Sequence, residues 1–164
     1  AIGYKDLAWV TGQLAKAGAV DWRVLEPFGC LEAVQDLAVQ LVLESGAEEA
    51  IIAAHGSFKS PVPAAIAGRV AAAVAARGLR VGCGFIDQEP RLAGLTGFGA
   101  QAVCLPFFAA EGGHVVQDIP AALAEAGFQG RLLPALGLDA RVPGIIAEAV
   151  REGRAVCAGA CRWG

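Results

Sequence analysis

Two periods alternate along the chain. Glu49 to Ala54, Leu79 to Ile86, Gln101 to Phe108 and Gly130 to Leu136 are short apolar runs with almost no polar face, and each predicts a buried strand. The segments between them repeat apolar residues every three or four positions, the helical spacing. Leu7, Val10 and Leu14 predict a helix over Tyr4 to Ala17, with Gly18 as its C-terminal stop. Leu31, Val34, Ala38, Leu41 and Val42 predict a second helix ending near Ser45 and Gly46. Val62, Ile66, Val70 and Val74 predict a third, entered through Ser60 as N-cap and Pro61 at the first helical position, and stopped by Gly78. Pro90 to Leu95 is expected as a short helix, and Val115 to Gly127 and Val142 to Val150 as longer ones. Val20 to Phe28, with Trp22, Val24 and Leu25, is expected as a further strand.

Strands this continuously apolar leave no wet face, so their alternation with helices predicts an α/β three-layer sandwich, a four-stranded parallel sheet with helices on both faces. Ligands bind such sheets at the carboxyl ends of the strands. The two histidines of the chain both fall there: His55 directly after the first of these runs, and His114 after the third, within Glu111-Gly112-Gly113-His114. A lone histidine at a strand end also serves as a simple cap; two on one edge make a candidate metal or substrate site. Asp87 and Glu89 follow the second run and are candidate carboxylate ligands, although acidic residues beside Pro90 equally start a helix. Gly56 and Ser57 precede a helix, where backbone N–H groups form an anion site, and Lys59 and Arg91 are the nearby cations.

Composition narrows the classes. A chain of 164 residues predicts one compact unit. Its apolar content of 55% contains no run near the ~18 residues of a membrane span, and no signal segment is visible, so the expectation is a cytoplasmic protein without a membrane partner. A net charge of -3 without basic clusters excludes a nucleic-acid footprint. Five cysteines, an odd number, favour free thiols or metal ligands over a disulfide framework, and Cys83 and Cys104 lie in apolar runs as core residues.

An internal repeat suggests boundaries. Leu14 to Gly18, Val24 to Gly29 and a helix resemble Leu123 to Gly127, Leu132 to Gly137 and a helix, although two alanine-rich α/β units also converge on such a pattern by chance. With the absence of methionine, the repeat leads to three expected parts. Residues 1–46 are the closing helix–strand–helix of a preceding half, 47–153 a complete half, and 154–164 a tail with Cys157 and Cys161.

Four stretches in order resemble the sirohydrochlorin cobaltochelatase and ferrochelatase family, the small class II chelatases. They are Ala54-His55-Gly56-Ser57, Phe85-Ile86-Asp87-Gln88-Glu89-Pro90, Leu105-Pro106-Phe107-Phe108 with Gly113-His114 and Asp118-Ile119-Pro120, and Pro134 to Asp139. The family commonly has an arginine after the serine, where Phe58-Lys59 stands, and a glutamate where Asp87 stands. The resemblance implies a chelatase-like fold over roughly residues 48–152. It also implies a lyase-class enzyme that inserts a divalent metal into sirohydrochlorin for cobalamin or siroheme synthesis. The metal is a substrate, cobalt or iron, with nickel also compatible with imidazole ligands.

It further implies His55 and His114 as catalytic residues and metal ligands, with Asp87 and Glu89 as further ligands. Gly56, Ser57, Lys59 and Arg91 become the substrate grip. Asp118 is expected to support His114 or cap its helix. The tetrapyrrole and the metal ion are the partners, and a second chelatase-like half, upstream in cis or in a homodimer, completes the assembly. Long family members carry an iron–sulfur segment at the C-terminus, but Cys157 and Cys161 fall short of a cluster's four ligands. The alternative function is a non-catalytic chelatase-like domain that binds metal or tetrapyrrole within a larger protein, and a third is a purely structural half. An imidazole ligates only when neutral, so activity is expected to fall in acid.

Overall fold

A computed structural model describes residues 4–156 and 162–163, so Cys157 and Cys161 lie outside the described residues. Four parallel strands form the sheet: β1 (Glu49–Ala54), β2 (Arg80–Phe85), β3 (Val103–Pro106) and β4 (Arg131–Leu132), in the order β2-β1-β3-β4. The helices are α1 (Tyr4–Lys16), α2 (Glu32–Glu44), α3 (Val62–Ala75), α4 (Ile119–Glu125) and α5 (Val142–Glu152).

Strand β1 is central because both of its faces are apolar. Ala50, Ile52 and Ala54 share one cluster with Val34, Leu37, Ala38 and Val42 of α2 and Ile66, Ala67, Val70 and Val74 of α3. Ile51 and Ala53 meet Leu92, Cys104, Val115, Ile119 and Leu123 on the opposite face. A period of two along the strand thus divides its residues between two layers of helix. Burial pushes the Cys83 thiol up to about 11 and the Cys104 thiol up to about 12, as expected of core residues. Edge strand β2 contains Gly84 because a Cβ there would lie 2.8 Å from the Leu92 Cα, so the covering turn packs directly on the strand's backbone.

Several expected elements are corrected. Among the described residues Val20 to Phe28 is not a strand: Asp21 has φ 58, Phe28–Cys30 is a 3-10 turn, and Leu25 makes a single bridge, antiparallel, to Ala155. The N-terminal segment is therefore helix–loop–helix among the described residues, its apolar residues joining none of the four strands of the sheet. Gly130 to Leu136 contracts to the two exposed residues of β4, and Gln101 to Phe108 to the four of β3. Pro90 to Leu95 supplies only a 3-10 turn, Leu92–Gly94. The helix expected from Val115 begins one residue earlier as a π turn, His114–Asp118, before α4. Helix α3 starts at Val62 with Pro61, rather than the expected Ser60, at its N-cap; the Ser60 hydroxyl accepts the Val62 N–H at 3.3 Å from one residue further out.

The loop before α2 and the C-terminal segment meet. Beside the Leu25–Ala155 bridge, Glu26 has a side chain only 2% exposed and pairs with Arg162 at 3.0 Å and Arg154 at 3.4 Å, while the Trp163 indole N–H donates to the Cys30 carbonyl at 2.8 Å. Two arginines compensate the desolvated carboxylate. Arg141 ties Glu44 of α2 to the turn before α5, and its guanidinium holds the Asp139 carboxyl down to about 2.

Candidate functional site

The carboxyl edge of β1 and β2 continues as a ladder beyond the strands. The Ile86 N–H donates to the Ala54 carbonyl at 3.1 Å and the Asp87 N–H to the His55 carbonyl at 2.9 Å. These bonds set the Asp87 carboxylate 3.5 Å from His55 Nε2. On the other side, the Phe107 N–H donates to the Ala53 carbonyl at 2.7 Å, extending the β1–β3 pairing. After a short loop, the π turn brings His114 to the same edge. The His55 and His114 ring centroids are 4.6 Å apart, at 85° to each other.

Both tautomers follow from their partners. His55 Nδ1 lies 3.0 Å from the Gly56 carbonyl, which only accepts, so the proton sits on Nδ1 and Nε2 keeps its lone pair. His114 Nδ1 lies 2.6 Å from Asp118 Oδ2, and a carboxylate partner likewise leaves His114 Nε2 with a lone pair. All four side chains are between 39% and 49% exposed, open enough to exchange a ligand with solvent. Two imidazoles with available Nε2 lone pairs, next to a carboxylate, are suited to hold a borderline divalent metal or to take up protons.

The other expected residues divide. Glu89 turns away: its side chain is 83% exposed and pairs with Arg91 Nε at 3.6 Å. Among the described residues, no three His, Cys, Asp or Glu side chains converge closely enough to hold a metal ion, so the expected ligand set of His55, His114, Asp87 and Glu89 is not assembled as one cluster; what the fold provides is two pairwise contacts, His55 with His114 and His55 with Asp87. Arg91 donates from Nη1 to the Ile86 carbonyl, and its guanidinium carbon lies 5.8 Å from the Phe58 ring centroid. Lys59 is exposed on the β1–α3 loop, its N–H donating to Ser57 Oγ at 3.1 Å.

The expected anion site at Gly56 and Ser57 is corrected by Gln88, a residue that no motif or period singles out. Its Oε1 accepts the Ser57 N–H at 2.6 Å. Gly56 has φ +76, and a Cβ there would lie 2.5 Å from Gln88 Cγ, so the loop turns on a glycine and packs against the glutamine. A neutral carboxamide therefore sits where an anion was expected. Nothing in the strand–helix pattern reports such a loop-to-loop contact.

The CbiX family model matches residues 49–153, from β1 to the end of α5. The chain belongs to the CbiX family. Among solved structures it is similar to CbiX described as the terminal enzyme for biosynthesis of siroheme in denitrifying bacteria, at 36% identity and a TM-score of 0.84, over 92% of this chain and 70% of that one. Two further structures share the CbiX fold only. SirB from Bacillus subtilis with Fe3+ is 15% identical, with a TM-score of 0.62, over 91% of this chain and 65% of that one. The sirohydrochlorin chelatase SirB from Bacillus subtilis subspecies spizizenii, in complex with cobalt, is 13% identical, with a TM-score of 0.58, over 88% of this chain and 60% of that one. No curated protein matches the chain. Among the described residues no helix is long and apolar enough to cross a membrane.

Proposed function

We propose that this CbiX-family chain is a sirohydrochlorin chelatase that inserts Co2+ or Fe2+ into the macrocycle, on the route to cobalamin or siroheme. The observation that carries the reading is the pair of half-exposed imidazoles 4.6 Å apart at the carboxyl edge of the sheet. Insertion removes two pyrrole N–H protons and forms metal–nitrogen bonds in their place. His55 and His114 hold the incoming metal through Nε2 and, as it transfers, become free to accept the departing protons. Asp87 beside His55 stabilises the protonated ring, and an imidazole pair releases metal more readily than a closed four-ligand cage would. Arg91 and Lys59 supply charge for the carboxylate arms.

The test is the absorbance change of sirohydrochlorin with Co2+ or Fe2+. A rate no faster than the metal-only blank would refute the enzyme; metal or tetrapyrrole binding without that rate would make the chain a binding domain.

Asp118 is proposed as the positioning partner of His114. Asp118→Asn keeps the shape and removes the charge, and it is expected to weaken Co2+ binding by roughly tenfold, the lower end for such supporting partners. Competition titration against a metal indicator measures this. Unchanged affinity would reduce Asp118 to a role in the π turn.

The proposal includes a second chelatase-like half, in cis or from another copy; its support is the additional length of the solved CbiX chain. In the homodimeric form, the rate per chain falls on dilution as copies separate. A rate per chain that does not change with dilution excludes that form.

A further inference from the structure

We propose that Phe58 is a substrate-positioning residue, its exposed ring taking one face of the conjugated macrocycle while Arg91 across it takes a carboxylate arm. This rests on the tetrapyrrole reading and assigns the part of the site that meets the macrocycle rather than the metal. Phe58 is 76% exposed and belongs to neither apolar cluster, so packing does not explain an aromatic side chain there. It lies three residues after His55, on the loop leaving the carboxyl end of β1. The backbone on either side of it is held: the Ser57 N–H by Gln88 Oε1 at 2.6 Å, and the Lys59 N–H by Ser57 Oγ at 3.1 Å.

The only cation across the Phe58 ring among the described residues is Arg91, 5.8 Å from its centroid, within the range of a cation–π contact. Arg91 is itself anchored, through the Ile86 carbonyl and Glu89. Loops after β1 and β2 thus join an apolar plane and a guanidinium on the edge that carries the histidines. A flat, conjugated, polyanionic ligand needs both features together. A small metal complex or an inorganic anion needs no apolar plane.

The experiment titrates metal-free sirohydrochlorin by fluorescence against the wild-type chain and Phe58→Ala, Phe58→Leu and Phe58→Trp, and measures Co2+ insertion with each. Phe58→Ala is expected to weaken binding by about tenfold, the scale of one stacking contact. It should raise KM with kcat and Co2+ affinity little changed, and leave the thermal midpoint at the wild-type value, since the side chain is exposed. Phe58→Trp should restore binding, and Phe58→Leu, apolar but not planar, should not. Phe58→Ala binding within twofold of a wild type that binds and metallates would overturn this assignment and leave the chelatase reading standing. Recovery with Phe58→Leu would overturn the stacking role. A wild type that neither binds nor metallates sirohydrochlorin would overturn both readings.

Discussion

His55→Ala and His114→Ala are each expected to lower Co2+ insertion into sirohydrochlorin by about a hundredfold or more, the lower range for loss of a positioned acid–base group. Each variant removes one of two rings 4.6 Å apart, and so halves the imidazole pair proposed to meet the metal. On the proposed mechanism the two rings serve one metal and one pair of protons, so the double variant should lose far less than the product of the single losses. Both side chains are well exposed, 39% for His55 and 47% for His114, so folding should survive either change. Initial rates followed by tetrapyrrole absorbance, with circular dichroism as the control, measure the effect. Wild-type rates in both single variants would remove the pair from the reaction and the chelatase assignment with it.

Ile52→Ala is expected to destabilise the fold by about 3 kcal/mol, within the range for a large-to-alanine change in a core. Ile52 is fully buried in the central strand, in the cluster it shares with residues of α2 and α3. Each lost methylene-sized group removes ~0.8 kcal/mol of transfer free energy, and the cavity adds the rest because a strand paired on both sides cannot collapse into it. For a chain of this size that amounts to a fall in thermal midpoint of roughly 6–12 °C. Urea unfolding should show the same loss as a shifted midpoint with an unchanged slope. A loss below about 1 kcal/mol would mean that the strand moves to refill the space.

The two predictions rest on parts of the molecule that were legible to different degrees. Glu49 to Ala54 is readable as a central strand because a segment buried on both faces has nowhere to place a polar residue. Val20 to Phe28 is also largely apolar, yet among the described residues it pairs through a single bridge, Leu25 with Ala155. Composition reports that a segment is apolar, but not whether an edge of the sheet is free to receive it. The same limit shortened Gly130 to Leu136, most of which continues past the short edge strand into loop. At the site, Glu89 looked equivalent to Asp87 in the sequence. The backbone bond from Asp87 to His55 fixes one carboxylate inside the edge, and the ion pair with Arg91 draws the other out.

The layered α/β architecture, and the edge of the sheet to which both histidines belong, are already written in the order of apolar runs and helices along the chain. Burial dictates the apolar period, and strands running parallel carry every residue after their carboxyl ends to one edge. Which strands are neighbours, and with that which side chains meet, follows only from how the chain packs in three dimensions. His55 and His114 approach because β3 lies beside β1 with Ala53 opposite Pro106, and a π turn then returns His114 to that edge. Gln88 over Gly56, Asp118 on His114 and Arg91 across Phe58 were settled in the same way, by loop conformations that depend on contacts distant in sequence or on one local turn, to which hydrophobic periodicity is blind.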